Sequence, residues 1–150
     1  MQSIRADVRP GGDLLERVKR VHWPLAVGLG AVALIRPLMS IVGLMDELGR
    51  PLGPLLVTLV ISIVWIAVVG LSRVAEPLLT LVFAGLVYGV LSIVLSGVLS
   101  PIVTGELQGP LATPFGIGVV SVLVINAIWG TVTGALALAL RGLRGAGAGT

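Results

Sequence analysis

Four long stretches almost free of charge dominate this chain, at roughly Pro24–Leu44, Leu52–Leu71, Pro77–Leu99 and Pro114–Leu140. Each holds about twenty residues or more, enough for a helix to cross a hydrocarbon layer of about 30 Å. Inside lipid no water satisfies the backbone N–H and C=O groups, so such runs must be helical. The fold class that follows is all-α, an integral membrane four-helix bundle. Composition agrees: charged residues make up 11% of the 150, and mean hydropathy is +1.10. Soluble domains carry about 25% charged residues.

The chain divides at its polar pieces. Residues 1–12 read as a tail, with Pro10-Gly11-Gly12 as a breaker. Residues 13–23 read as a short amphipathic helix at the membrane interface: Asp13 is a good N-cap, Leu14, Val18 and Val21 share a face, and Glu16, Arg17, Lys19 and Arg20 surround it. His22 and Trp23 fall where amphipathic rings prefer the headgroup level. A first hairpin over 24–71, a loop over 72–76, a second hairpin over 77–140 and a tail over 141–150 complete the plan. Pro24, Pro54, Pro77 and Pro114 suit first helical positions, where a missing N–H costs nothing. Thr113 can cap the fourth span, Glu76 puts negative charge at the positive end of the third, and Pro101 is expected to end it. The first run is interrupted by Arg36 and is longer than a secretory leader's apolar core, so it reads as a retained span.

Basic residues set the orientation. With four spans, Arg5, Arg9, Arg17, Lys19, Arg20, Arg73, Arg141 and Arg144 share one side, and Arg50 alone is opposite, with Asp46, Glu47 and Glu106. The positive-inside rule then places both termini in the cytoplasm of a multi-pass cell-membrane protein. The sequence pI near 10.6 is explained by this flanking charge, so nucleic acid is not expected as a partner. Arginine outnumbers lysine nine to one, the pattern of a GC-rich bacterial genome.

The outer loops resemble each other. Glu47-Leu48-Gly49-Arg50-Pro51-Leu52 matches Glu106-Leu107-Gln108-Gly109-Pro110-Leu111 at an offset of 59. The same offset pairs Ala26, Gly30, Ala33 and Pro37 with Gly85, Gly89, Ser92 and Ser96. One inserted residue later, Pro54, Ala67 and Gly70 pair with Pro114, Ala127 and Gly130. Two copies of a two-span unit keep the same orientation, so the hairpins read as parallel repeats about an axis along the membrane normal.

Gly85, Gly89, Ser92 and Ser96 lie at helical spacing on the third span, and Asn126, Gly130 and Gly134 on the fourth. Small residues let membrane helices approach closely, and serines can hydrogen-bond across the contact. With Gly30, these positions read as helix-packing faces, available to a second copy or to another membrane subunit.

Arg36 is the one charge deep inside a span. Counting about 1.5 Å per residue from Pro24 puts it about 18 Å along the helix. A charge at that depth costs about 2.5–3.5 kcal/mol on insertion scales and is a functional candidate by default. Asn126 reaches a similar depth on the fourth span, and its carbonyl can accept from the guanidinium. Pro37 cannot donate to the carbonyl of Ala33, which leaves that oxygen available as well, and a kink is expected there.

Several motifs fail on context. Gly28-Leu29-Gly30-Ala31-Val32-Ala33 fits a loose dinucleotide pattern but lies within a span, with no strand before it. A lone His22 at one interface and Asp46 at the other cannot form a triad, and there is no cysteine. No metal-ligand spacing and no cofactor motif appears, so an enzyme is not expected. Two functions remain. One is a non-enzymatic scaffold or accessory subunit that associates through its Gly/Ser faces, surrounded by membrane lipids. The other is an oligomeric channel or transporter for an anion or small solute, using Arg36 and Asn126.

Overall fold

The computed structural model describes residues 10–47, 49 and 51–147, with the side chains of all of these except 10, 11, 45 and 46. Residues 1–9 of the expected tail over 1–12, with the basic residues Arg5 and Arg9, then Arg50 and the last three residues, lie outside the described residues. Among the described residues four stretches are long and apolar enough to cross a membrane: Trp23–Ile41, Leu52–Leu71, Pro77–Thr104 and Pro114–Gly147. The protein is an all-α, multi-pass membrane protein. Large apolar side chains such as Leu55, Leu59, Ile63, Ile125 and Ile128 are exposed on the outer faces of the bundle, where lipid tails replace water.

Helix α1 spans Pro10–Lys19. Pro10-Gly11 therefore does not break the chain, and Asp13 lies in the first turn rather than at the cap. Proline suits a helix start, so the helix runs back to it. The first span is two helices, α2 (Trp23–Val32) and α3 (Ile35–Ile41). The cause is Pro37, which has no N–H to give residue 33. The Ala33 carbonyl accepts instead from the Arg36 backbone N–H at 3.2 Å, so that oxygen is not left free for the guanidinium. A short helix α4 (Leu44–Glu47) follows, and α5 covers Leu52–Leu71. The helix starts before Pro54, which therefore is not its first residue.

Helix α6 runs Pro77–Thr104, straight through Pro101, which does not end the span. One missing N–H is a smaller loss in lipid than four freed carbonyls. The stop comes at Gly105, in the left-handed conformation (φ 76°), whose N–H donates to the Pro101 carbonyl at 3.0 Å. Glycine adopts that conformation without a Cβ penalty. Two 3₁₀ turns, Gly109–Ala112 and Pro114–Gly116, lead into α7 (Ile117–Gly147). Thr113 does cap this helix, its hydroxyl accepting from the Gly118 N–H at 2.8 Å. Pro114, however, belongs to the turn, and Phe115 beside it has a positive φ of 56° and is fully exposed. Arg141, Arg144 and Gly145–Gly147 are all still helical.

Helix α6 is the centre of the packing. It lies along α7 on one side and α2 on the other, and α5 packs chiefly on α7. The buried cluster includes Leu29, Trp65, Val69, Leu81, Ala84 and Ala137. Glycine governs each contact. A Cβ on Gly30 would meet Val87 at 2.8 Å and the Ala84 carbonyl at 2.9 Å, a Cβ on Gly134 would meet the Leu78 Cα at 2.9 Å, and a Cβ on Gly70 would meet Leu140 at 2.9 Å. A Cβ on Gly85 or Gly130 would run into the carbonyls of Asn126 or Leu81. Dispersion and close backbone approach, rather than a hydrophobic driving force, hold such helices together in lipid.

Candidate functional site

The four spans enclose a half-open cavity of about 380 Å³. Arg36 reaches it from α3, Thr58 and Trp65 from α5, Tyr88 and Ser92 from α6, and Asn126 and Trp129 from α7. Arg36 lies about 20 Å along the first span, and Asn126 about 14 Å along α7 from the other end, at about 1.5 Å per residue. The two therefore share a depth. The cavity exists because the first span divides. Helix α2 is seated on α6 at Gly30, whereas α3, beyond the break forced by Pro37, touches α5 only sparsely.

Arg36 and Asn126 line the same cavity but are not bonded to each other. The Asn126 amide N–H donates to the Val122 carbonyl of its own helix at 2.8 Å. Among the described residues Arg36 has no side-chain hydrogen bond and no ion pair. Arg36 is not paired with Glu47 or Glu106, and the Asp46 side chain lies outside the described residues. The hydroxyls at the cavity are donors to their own helices: Thr58 to the Pro54 carbonyl at 2.8 Å, Ser92 to the Gly89 carbonyl at 2.9 Å. Their oxygens keep accepting capacity.

Three aromatic residues of this wall were not anticipated from sequence. Trp65 is 3% exposed and donates its indole N–H to the Leu29 carbonyl at 3.2 Å, tying α5 to α2. Trp129 donates to the Ser62 hydroxyl at 3.0 Å, tying α7 to α5. With both N–H groups engaged, the rings offer the cavity apolar faces. Tyr88 completes the wall. The available signal was position: tryptophan prefers the interface, so two at mid-span needed partners.

The other predicted positions fall as follows. Gly85, Gly89, Gly130 and Gly134 lie in the α6–α7 contact and Gly30 in the α2–α6 contact. These glycines pack against neighbouring helices of the same chain. Ser92 does not bond across a contact, and Ser96 donates to the Gln108 carbonyl at 3.1 Å, pinning the outer loop onto α6. His22 caps α2, its Nδ1 accepting from the Leu25 N–H at 3.3 Å. Trp23 packs its ring on Phe83, centroids 4.8 Å apart. No known protein family, curated protein or solved structure matches the chain.

The arrangement offers one guanidinium, an amide, acceptor hydroxyls and aromatic walls. That set suits an anion with an apolar body. The guanidinium gives forked donors to a carboxylate or phosphate-like group, and the rings take the remainder.

Proposed function

We propose that this membrane protein binds a small organic anion within its spans, with Arg36 as the charge that holds it and Asn126 as a second polar contact. One observation carries the reading. Arg36 borders a 380 Å³ cavity with no protein partner among the described residues. A cation near mid-membrane costs about 2.5–3.5 kcal/mol, and a bound anion offsets that cost. Binding in a channel or transporter cycle fits this site. Among the described residues no carboxylate or histidine lines the cavity, which favours binding over catalysis. The scaffold reading has less support, because the glycine faces that suggested it are occupied within the chain.

Further parts of the proposal rest on sequence. The hairpins are parallel repeats, supported by Gly30 with Gly89 at an offset of 59 and, after one inserted residue, Gly70 with Gly130. The two hairpins close differently: α6 lies flush on α7 while α3 barely meets α5, and the cavity occupies the difference. The basic end faces the cytoplasm of a bacterial cell membrane, and further copies or another membrane subunit complete the assembly.

The test is binding and flux of a panel of aliphatic and aromatic carboxylates and halides in proteoliposomes. Arg36→Gln is expected to weaken binding about tenfold to a hundredfold, the range for a charge-assisted hydrogen bond. Arg36→Lys should retain part of it. Inert behaviour of the wild type across the panel, or equal binding by Arg36→Gln, would overturn the reading.

A further inference from the structure

A second polar groove, of about 320 Å³, lies at the end of the bundle opposite Glu106, where α5 stops and α7 passes it. It is lined by Gly70, Leu71, Ser72, Arg73, Arg141 and Arg144. Arg141 donates to the carbonyls of Val74 (2.7 Å), Ser72 (2.7 Å) and Val69 (3.3 Å), and Arg144 donates to Leu71 at 3.3 Å. The last carbonyls of a helix lack intrahelical donors, so α7 supplies them to α5 as arginine. This locks two guanidiniums in place. Arg73 makes no bond among the described residues. Among the described residues no carboxylate lines the groove, and Glu76, the nearest along the chain, is held by Arg17 and Arg20. The carbonyl end of α5 contributes only about half a negative charge. A surplus of positive charge therefore sits at the end of an apolar span, the level of lipid headgroups. Leu71, 56% exposed, gives the same groove an apolar margin.

We propose that this groove binds the phosphate of an anionic phospholipid headgroup, with Arg73 and Arg144 contacting phosphate oxygens and Arg141 fixing the wall. Free phosphate shares that chemistry, but Leu71 and the apolar span beside the groove favour a phosphate tethered to acyl chains. The proposal is independent of the Arg36 cavity.

Lipid retention by the detergent-solubilised protein, read by native mass spectrometry, compares phosphatidylglycerol with phosphatidylcholine. The wild type should prefer phosphatidylglycerol. Arg73→Gln, which breaks no protein contact, should lower that preference about fivefold, and Arg73→Gln with Arg144→Gln about thirtyfold. Lys19→Gln serves as the control, because Lys19 is basic and at the same end but pairs with Glu16 at 2.8 Å. It should leave the preference unchanged. Three results would each overturn the proposal: an undiminished preference in the double variant, an equal drop in Lys19→Gln, or displacement of the lipid by inorganic phosphate at matched concentration. The last would assign the groove to the free ion.

Discussion

Gly85 and Gly28 lie in neighbouring stretches of similar composition, yet a side chain means different things at each. At Gly85 an added Cβ meets the Asn126 carbonyl, and backbone cannot give way without parting α6 from α7. At Gly28 nothing lies within 4 Å. Gly85→Ala should therefore destabilise the bundle by about 1–3 kcal/mol, the usual cost of overpacking. Gly28→Ala should be neutral or stabilising by up to about 1 kcal/mol, since alanine is the better helix former. Thermal unfolding of the two variants in one detergent checks the contrast; equal midpoints would show that the close approach of α6 and α7 is not where stability resides. Trp65 is informative in another way. It fills core and satisfies a carbonyl of a different helix at once, so its burial and its hydrogen bond act together.

Among the elements, α1 is held to the bundle by a single acidic group. Arg17 donates through Nε (3.2 Å) and Nη2 (3.0 Å) to one carboxylate oxygen of Glu76, and Arg20 approaches the other at 3.7 Å. The hydrogen bond to Glu76, then its charge, raises the Arg17 pKa above its ordinary value. A raised cation contributes its stability below the unfolded value and loses it only above the folded one, so neutral pH does not loosen this latch. Salt does, because the pair is partly exposed. Glu76→Gln should leave the spans intact and speed amide exchange in α1 by about threefold to fivefold, as expected for a partly exposed ion pair. Raising salt should speed exchange in the wild type and much less in the variant. Unchanged exchange in Glu76→Gln would mean that α1 is held by Val21 and its apolar face. Sequence alone assigned Glu76 to the start of α6, and it does sit there, but its carboxylate makes no capping bond.

At the scale of the whole molecule, charge and polarity are segregated by end. Arg17, Lys19, Arg20, Arg73, Arg141 and Arg144 gather at one end of the bundle, and Glu47, Glu106 and the Ser96–Gln108 loop contact at the other. The positive-inside rule predicts that the first end is cytoplasmic. The chain has no cysteine, so one introduced at a time reports cleanly. A membrane-impermeant thiol reagent on intact cells should modify Thr104→Cys and leave Ala75→Cys unmodified until the membrane is opened. The reverse pattern would invert the orientation and place the arginine groove outside. The three tasks of the molecule are then separable: a basic rim for headgroups, a glycine-packed centre, and a cavity on the side where the first span breaks.

Features that the lipid solvent dictates are legible in the residues alone. Runs without charge must be helices in lipid, whatever they pack against, and α5 is found where it was expected, at Leu52–Leu71. The shared depth of Arg36 and Asn126 is also a matter of counting, because helical rise is fixed. Helix ends were less legible. Pro101 reads as a stop and Pro10-Gly11 as a break, but proline removes one bond, and the surroundings decide whether the helix continues. Which small residues meet is a matter of packing between helices. A glycine stripe looks the same whether it faces a neighbour in its own chain or another molecule, and here Gly85, Gly89, Gly130 and Gly134 face inward. The cavity belongs to the same class of fact. It arises because α3 meets α5 far less closely than α6 meets α7, a property of how helices lie against one another that no span carries in its own residues.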